Sequence, residues 1–247
     1  NTDSAMLCYT IVAQRYSRSM SRDEKQLALR GWLGRWETLF YGYCDYSSAL
    51  DDLLSAEEIA RECNLDAAKI DYGLGCTWAA LATYNDDRDS TLVVRALNYM
   101  RSAFLKSVKS RDFETAHNSF DNLSSLACLH GDLSHDDIEE FEVLKSLGDN
   151  GDWRMRASIH NYQGWRAIAR DSMRSAIDHY TRLLAEIPAD LNQSRYRAMA
   201  VMTRGQLYTS LGEYRRARVD LDSAMALSFA AGAPDARIVV LRSLMDW

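Results

Sequence analysis

Two prolines and 12 glycines in 247 residues leave this sequence almost without chain breakers. That scarcity, with 47% hydrophobic residues, excludes a long disordered linker or a low-complexity tract. No stretch approaches the roughly 18 uninterrupted apolar residues of a membrane span, and no signal peptide is visible. The five cysteines, at 8, 44, 63, 76 and 128, form no C-x-x-C pair and are absent from the last 119 residues. A disulfide framework or zinc ribbon is therefore not expected, and buried reduced thiols serving as small hydrophobes are.

Chemistry-bearing motifs are also missing. There is no P-loop, no dinucleotide-binding glycine fingerprint and no H-E-x-x-H. The five histidines, at 117, 130, 135, 160 and 179, are scattered. His135-Asp136-Asp137 admits a metal reading, but no second ligand pair completes it, and Ser134 reads more simply as a helix cap followed by acidic residues. Asp51-Asp52, Glu57-Glu58 and the run Asp136, Asp137, Glu139, Glu140 read as solvated helix surface. No carboxylate is joined by the second component that a hydrolase needs. Neither catalytic residue, metal nor cofactor is implied.

The net charge of -6 is mild but uneven. Residues 1–148 carry 15 Lys/Arg against 24 Asp/Glu, whereas 149–247 carry 14 against 11. Nucleic acid is thus a disfavoured partner. The unpaired cysteines favour the cytoplasm, with the periplasm as the alternative if the chain belongs to a membrane-anchored sensor. It begins at Asn1 rather than Met. A processed product or a piece of a longer protein is expected, with a signal, membrane helix or effector domain in its flanks.

What is present is helical rhythm. Ala5, Met6, Tyr9, Val12, Ala13 and Tyr16 predict an opening helix over 3–19, and Ser21 with Glu24 forms a capping box for a helix over about 22–41. Asp45-Tyr46-Ser47-Ser48-Ala49 opens the second half of a unit spanning 30–63. Further apolar periods predict helices over 66–84, 91–109, 112–129 and 135–148, with breaks at Asn85-Asp86-Asp87 and Gly148-Asp149-Asn150-Gly151-Asp152. Asp112-Phe113-Glu114-Thr115-Ala116 resembles the entry to a second helix. Counting from residue 22 instead pairs 66–84 with 91–109, and this is the favoured register.

The stretch 198–231 is the most informative. Ala198, Val201, Leu207 and Leu211 share one helical face, Gly205 admits a close neighbour, and Leu211-Gly212-Glu213-Tyr214 reverses the chain before Ala217, Leu221 and Ala224. G-x-x-Y followed by L-G-E-Y-x-x-A resembles a tetratricopeptide repeat. In that frame Gly205 is at position 8, Tyr208 at 11, Gly212 at 15, Ala217 at 20, Leu221 at 24 and Ala224 at 27. Arg204 departs from the usual Leu at position 7, and Phe229 from the usual Pro at 32. The stretch 157–190 repeats the frame, with Gly164 at 8, Ala167 at 11, Ala176 at 20, Tyr180 at 24 and Pro188 at 32.

The resemblance implies an all-α, right-handed superhelical solenoid of about five antiparallel helix pairs plus terminal helices, roughly ten or eleven substantial helices in all. It is expected to be a single domain over 1–247, with an acidic half 1–148 and a mildly basic half 149–247 as the subdivision. The last segment, 235–247, would begin another repeat or cap the solenoid, and its apolar face admits dimerisation.

By the same resemblance, positions 2, 5, 9 and 12 of each first helix face a ligand. They are Ser158, Asn161, Trp165 and Ile168, then Met199, Met202, Gln206 and Thr209. Amide, indole and thioether groups suit a protein or peptide partner. Packing between repeats is the alternative for Trp165. Asn161 matches one position of the repeats that clamp a terminal carboxylate, but the other positions do not, so that ligand is not expected. Arg166, Arg170 and Arg174 recur at i+4 and suggest an acidic partner, or else a solvated stripe. The leading expectation is a non-catalytic protein- or peptide-binding scaffold, resembling regulatory or sensor modules of bacterial signalling proteins. A small-ligand sensor, an enzyme on a helical scaffold and a structural assembly element remain alternatives.

Overall fold

The computed structural model describes residues 2–64, 67–84, 90–129, 140–148, 152–188, 194–232 and 234–245. Among these residues the chain forms twelve α-helices, one short π-helical segment and no strand. Two compact units divide it, Asn1–Asn122 and Leu123–Trp247. Unit 1 contains α1 (Thr2–Gln14), α2 (Arg22–Glu37), α3 (Tyr46–Cys63), α4 (Ala68–Tyr84), α5 (Ser90–Ser110) and most of α6 (Phe113–Leu129). Unit 2 contains the end of α6, then α7 (Glu140–Gly148), α8 (Trp153–Ala169), α9 (Met173–Glu186), α10 (Ser194–Ser210), α11 (Tyr214–Ala230) and α12 (Pro234–Met245). The breaks expected at 85–87 and 149–151, the cap at Ser134, and His130 and His135 lie outside the described residues.

The helices stack as tetratricopeptide-like pairs, and small residues set the crossings. A methyl group added at Gly164 of α8 would meet the Tyr180 ring of α9 at 2.9 Å, and one at Gly205 of α10 would meet Leu221 of α11 at 3.1 Å. Gly75 of α4 stands in the same relation to Met100 of α5, at 3.0 Å. This third crossing makes α4 and α5 a pair, as the count from residue 22 predicts. Tyr180, Leu221 and Met100 are all buried, so each crossing is closed to water.

The chain reverses by one backbone device. Cys44, Arg111, Asp171 and Gly212 all take the left-handed conformation, with φ of 56°, 59°, 56° and 72°. The next amide reaches back to an earlier carbonyl: Asp112 to Ser107 at 2.9 Å, Ser172 to Ala167 at 2.8 Å and Glu213 to Tyr208 at 2.9 Å. Four residues further on sits a fully buried alanine, Ala49, Ala116, Ala176 or Ala217. The resemblance of 112–116 to a second-helix entry is thus real at the level of the turn. Turn geometry alone does not mark the repeat boundary, because α5 is already paired with α4.

Several expectations shift in detail. The opening helix ends at Gln14, and 15–20 is a turn in which Ser17 and Ser19 hydroxyls lie 2.9 Å apart. The capping box forms, with Glu24 N–H donating to Ser21 Oγ at 3.4 Å and Ser21 N–H to Glu24 Oε2 at 2.8 Å. The second helix then loosens into a π-helical stretch, Thr38–Tyr43. There Phe40 and Tyr41 pack with Trp36, at ring separations of 5.9 and 6.0 Å. Only Cys76 of the five free thiols is buried, and Cys8 is exposed, so the role of small buried hydrophobe fits Cys76 alone.

Gly205→Leu is expected to destabilise unit 2 by about 1–4 kcal/mol, through overpacking against Leu221 and Asp220. Urea midpoints and slopes for both proteins check it; superimposable curves would mean that the crossing has room to spare.

Candidate functional site

The first-helix face of unit 2 is built on α8 and α10. Asn161 is 8% exposed, and no hydrogen bond to its amide is found among the described residues. Its polar atoms are not among the unpartnered ones sealed from solvent, so the carboxamide keeps an open edge to which an incoming polar backbone can bond. Ser158, one turn earlier, is fully buried, while Trp165, one turn later, is half-buried. The Trp165 carbonyl accepts from Cys128 Sγ of α6 at 3.2 Å, which brings that helix beside α8. Ile168 packs on the core formed by Ala167, Ala176 and Leu207.

On α10 the same face is differently employed. Met202 is 5% exposed and belongs to a cluster with Val201, Leu221, Ala224 and Val240, with Met199 packed at its edge. Gln206 is exposed but donates from Nε2 to Ser243 Oγ of α12 at 2.7 Å. Thr209 turns inward and donates to the Gly205 carbonyl at 3.1 Å. α12 therefore lies over α10, burying Ala236, Val240 and Ser243 and leaving Val239 and Leu241 exposed. Asn161 and Trp165 are the predicted residues left with polar or ring surface uncommitted to core.

The three arginines do not continue one stripe. α8 ends at Ala169, so Arg166 is on α8, Arg170 is in the turn and Arg174 is on α9. Arg174 Nη1 lies 3.0 Å from Glu213 Oε1, at the start of α11.

Two carboxylates read as solvated from sequence are buried, Asp52 and Glu140 at 3% and 8% exposure. Asp52 lies 3.0 Å from Arg35 Nε, a separation without hydrogen-bond alignment. Its loss of solvent outweighs the arginine and pushes its pKa up to about 6. In unit 2 the corresponding acid is Asp220, 6% exposed and held by Arg204 through two bonds, Nε to Oδ2 at 2.7 Å and Nη2 to Oδ1 at 2.9 Å. This fork accounts for arginine at the position where the repeat usually has leucine.

Unit 1 holds a polar strip that the sequence reading missed. With Gly75 at position 8, positions 2, 5, 9 and 12 of α4 are Lys69, Tyr72, Cys76 and Ala79. The Tyr72 hydroxyl lies 3.5 Å from that of Tyr41 and accepts from Asn122 Nδ2 of α6 at 3.4 Å. Glu37 stands among crowded neighbours; lost solvation raises its pKa, Lys69 opposes this and Glu114 reinforces it. The signal was available in Gly73-Leu74-Gly75, whose second glycine marks a crossing as Gly164 and Gly205 do. No group of three or more His, Cys, Asp or Glu side chains fit to hold a metal occurs among the described residues. No described helix is long and apolar enough to cross a membrane.

No protein-family model matches this chain, and no curated protein matches it. Among solved structures, the crystal structure of NprR in complex with its cognate peptide NprX is similar in fold, with a TM-score of 0.66 at 14% identity. The match covers 98% of this chain and 65% of that NprR chain.

Asp52→Asn tests the buried acid through pH. The Asp52 pKa is raised in the fold, so its contribution is fully present below the ordinary value of 3.8 and is lost as pH rises through about 6. Wild type is therefore expected to lose about 1–3 kcal/mol relative to Asp52→Asn between pH 4 and 7, read by urea unfolding. Parallel curves would place Asp52 in contact with solvent.

Proposed function

We propose that this chain is a non-catalytic peptide-binding module in which an extended peptide lies along α8, its backbone paired with Asn161 and an apolar side chain against Trp165. The observation carrying this reading is the Asn161 amide, nearly buried and without a hydrogen bond among the described residues, one turn from a half-buried indole. A carboxamide offers a peptide group both the donor and the acceptor that it requires. NprR, similar in fold, has been crystallised with its cognate peptide, which supports peptide as the ligand class. Met199 and Thr209 of α10 border the same face, while Met202 serves mainly its packing and Gln206 is bonded to Ser243 of α12. The module acts as the regulatory or sensor part of a signalling protein, with binding stiffening the α8 region and altering how a connected output is held.

Screening the chain against an array of short synthetic peptides, followed by fluorescence anisotropy on the binders, tests the proposal. Asn161→Ala and Trp165→Ala should each weaken binding by about 1–3 kcal/mol while circular dichroism stays that of wild type. Met202→Ala should chiefly lower stability. Unchanged affinity in both Asn161→Ala and Trp165→Ala would remove the peptide from this face, and chemical turnover by the purified chain would favour an enzyme.

A further inference from the structure

One contact between α8 and α9 is chemically unlike the others. His160 of α8 and His179 of α9 face each other with ring centroids 6.1 Å apart and planes inclined by 32°. In both rings Nδ1 is sealed from solvent and has no hydrogen-bond partner among the described residues. His179 occupies the place in its pair that Asp52 and Asp220 occupy in theirs, three residues after the buried alanine of the turn. Those acids face Arg35 and Arg204. In the α8–α9 pair an imidazole faces an imidazole instead.

The surroundings offer little to balance added charge. On α8, Gln163 lies beside His160, and Arg156 is one turn before it. On α9, Asp178, Arg182 and Glu186 are the charged neighbours. Glu186 is already engaged, accepting from Arg156 Nε at 2.6 Å. From α10, Arg197 reaches the Ile187 carbonyl at 2.7 Å and adds positive charge along α9, while Arg204, which reaches Thr181 Oγ1 at 3.2 Å, is matched by Asp220. From α7, which packs on α8, the charged residues are Glu140, Glu142 and Lys145, the last held by Glu142.

We propose that His160 and His179 form a proton-sensitive contact that keeps α8 and α9 together while both rings are neutral and loosens the pair when acidification charges both. Facing imidazolium ions at this separation repel; of the two nearby carboxylates Glu186 is shared with Arg156, and Asp178 only partly offsets the charge on His179. Burial is the leading cause that lowers both pKa values below the ordinary 6.5, and His160 further lowers His179. Because the folded values are depressed, the contribution to stability is present above 6.5 and is lost as pH falls below it through the folded values. The contact operates whether or not α8 holds a peptide.

The test is amide hydrogen exchange of the full chain at pH 7.5 and 5.0, corrected for intrinsic rates, on wild type, His160→Gln and His179→Gln. Acidification is expected to raise opening of α8 and α9 in wild type at least about threefold more than in either variant, the bulk-water limit for two charges at this distance. Equal pH responses in wild type and both variants would overturn the proposal. Should a variant fail to fold, histidine ring titration by NMR in wild type decides. Two midpoints below 6.5 support the contact, and midpoints at or above that value refute it.

Discussion

The close crossing of a glycine on a first helix with a large buried side chain on the second is the constraint from which the helix pairs follow. At Gly75, Gly164 and Gly205 the missing Cβ lets Met100, Tyr180 and Leu221 come within reach of the neighbouring backbone. That proximity brings polar groups at the rims within bonding distance. Lys106 Nζ reaches Asp71 at 2.6 Å between α4 and α5, Arg156 reaches Glu186 at 2.6 Å between α8 and α9, and Arg204 forks onto Asp220 between α10 and α11. A buried ion pair contributes little net stability beyond an apolar pair of the same shape, because both partners are desolvated. Its value lies in register, since sliding one helix by a turn would leave a charge without its partner.

The same stacking decides which first-helix faces stay uncovered. α10 is followed closely by α12, which takes up Met202 and Gln206. α8 is flanked by α6 through Cys128 and the Trp165 carbonyl, yet the side chains of Asn161 and Trp165 are not consumed by that contact. Repeat positions that look equivalent along the chain are thus unequal in space.

Helix existence was legible because apolar periodicity and turn residues agree, from the Ser21–Glu24 capping box to the Gly212 reversal. Burial of single polar residues was not. Asp52 beside Asp51 looks like solvated surface, and only the approach of Arg35 from another helix turns it inward. Met202 could be placed on a face but not assigned a cover, since the cover comes from α12, almost forty residues further on. The π-helical stretch over Thr38–Tyr43 answers to the aromatic neighbours Trp36 and Tyr72, and Tyr72 belongs to a different helix. What local pattern cannot encode is which distant element arrives on a given face.

Among the described residues, left-handed ones follow six helical segments, and they are Cys44, Asn64, Arg111, Asp171, Gly212 and Gly232. The reversal is written in main-chain amides and carbonyls, which every residue but proline supplies. Such a hinge asks of its residue only that it tolerate the left-handed conformation, which glycine does freely and a β-branched residue does not. Several kinds of side chain can therefore stand at such a joint while its main-chain bonds keep the angle, so architecture is less particular than spelling. A likeness of fold to NprR at 14% identity is what such joints permit.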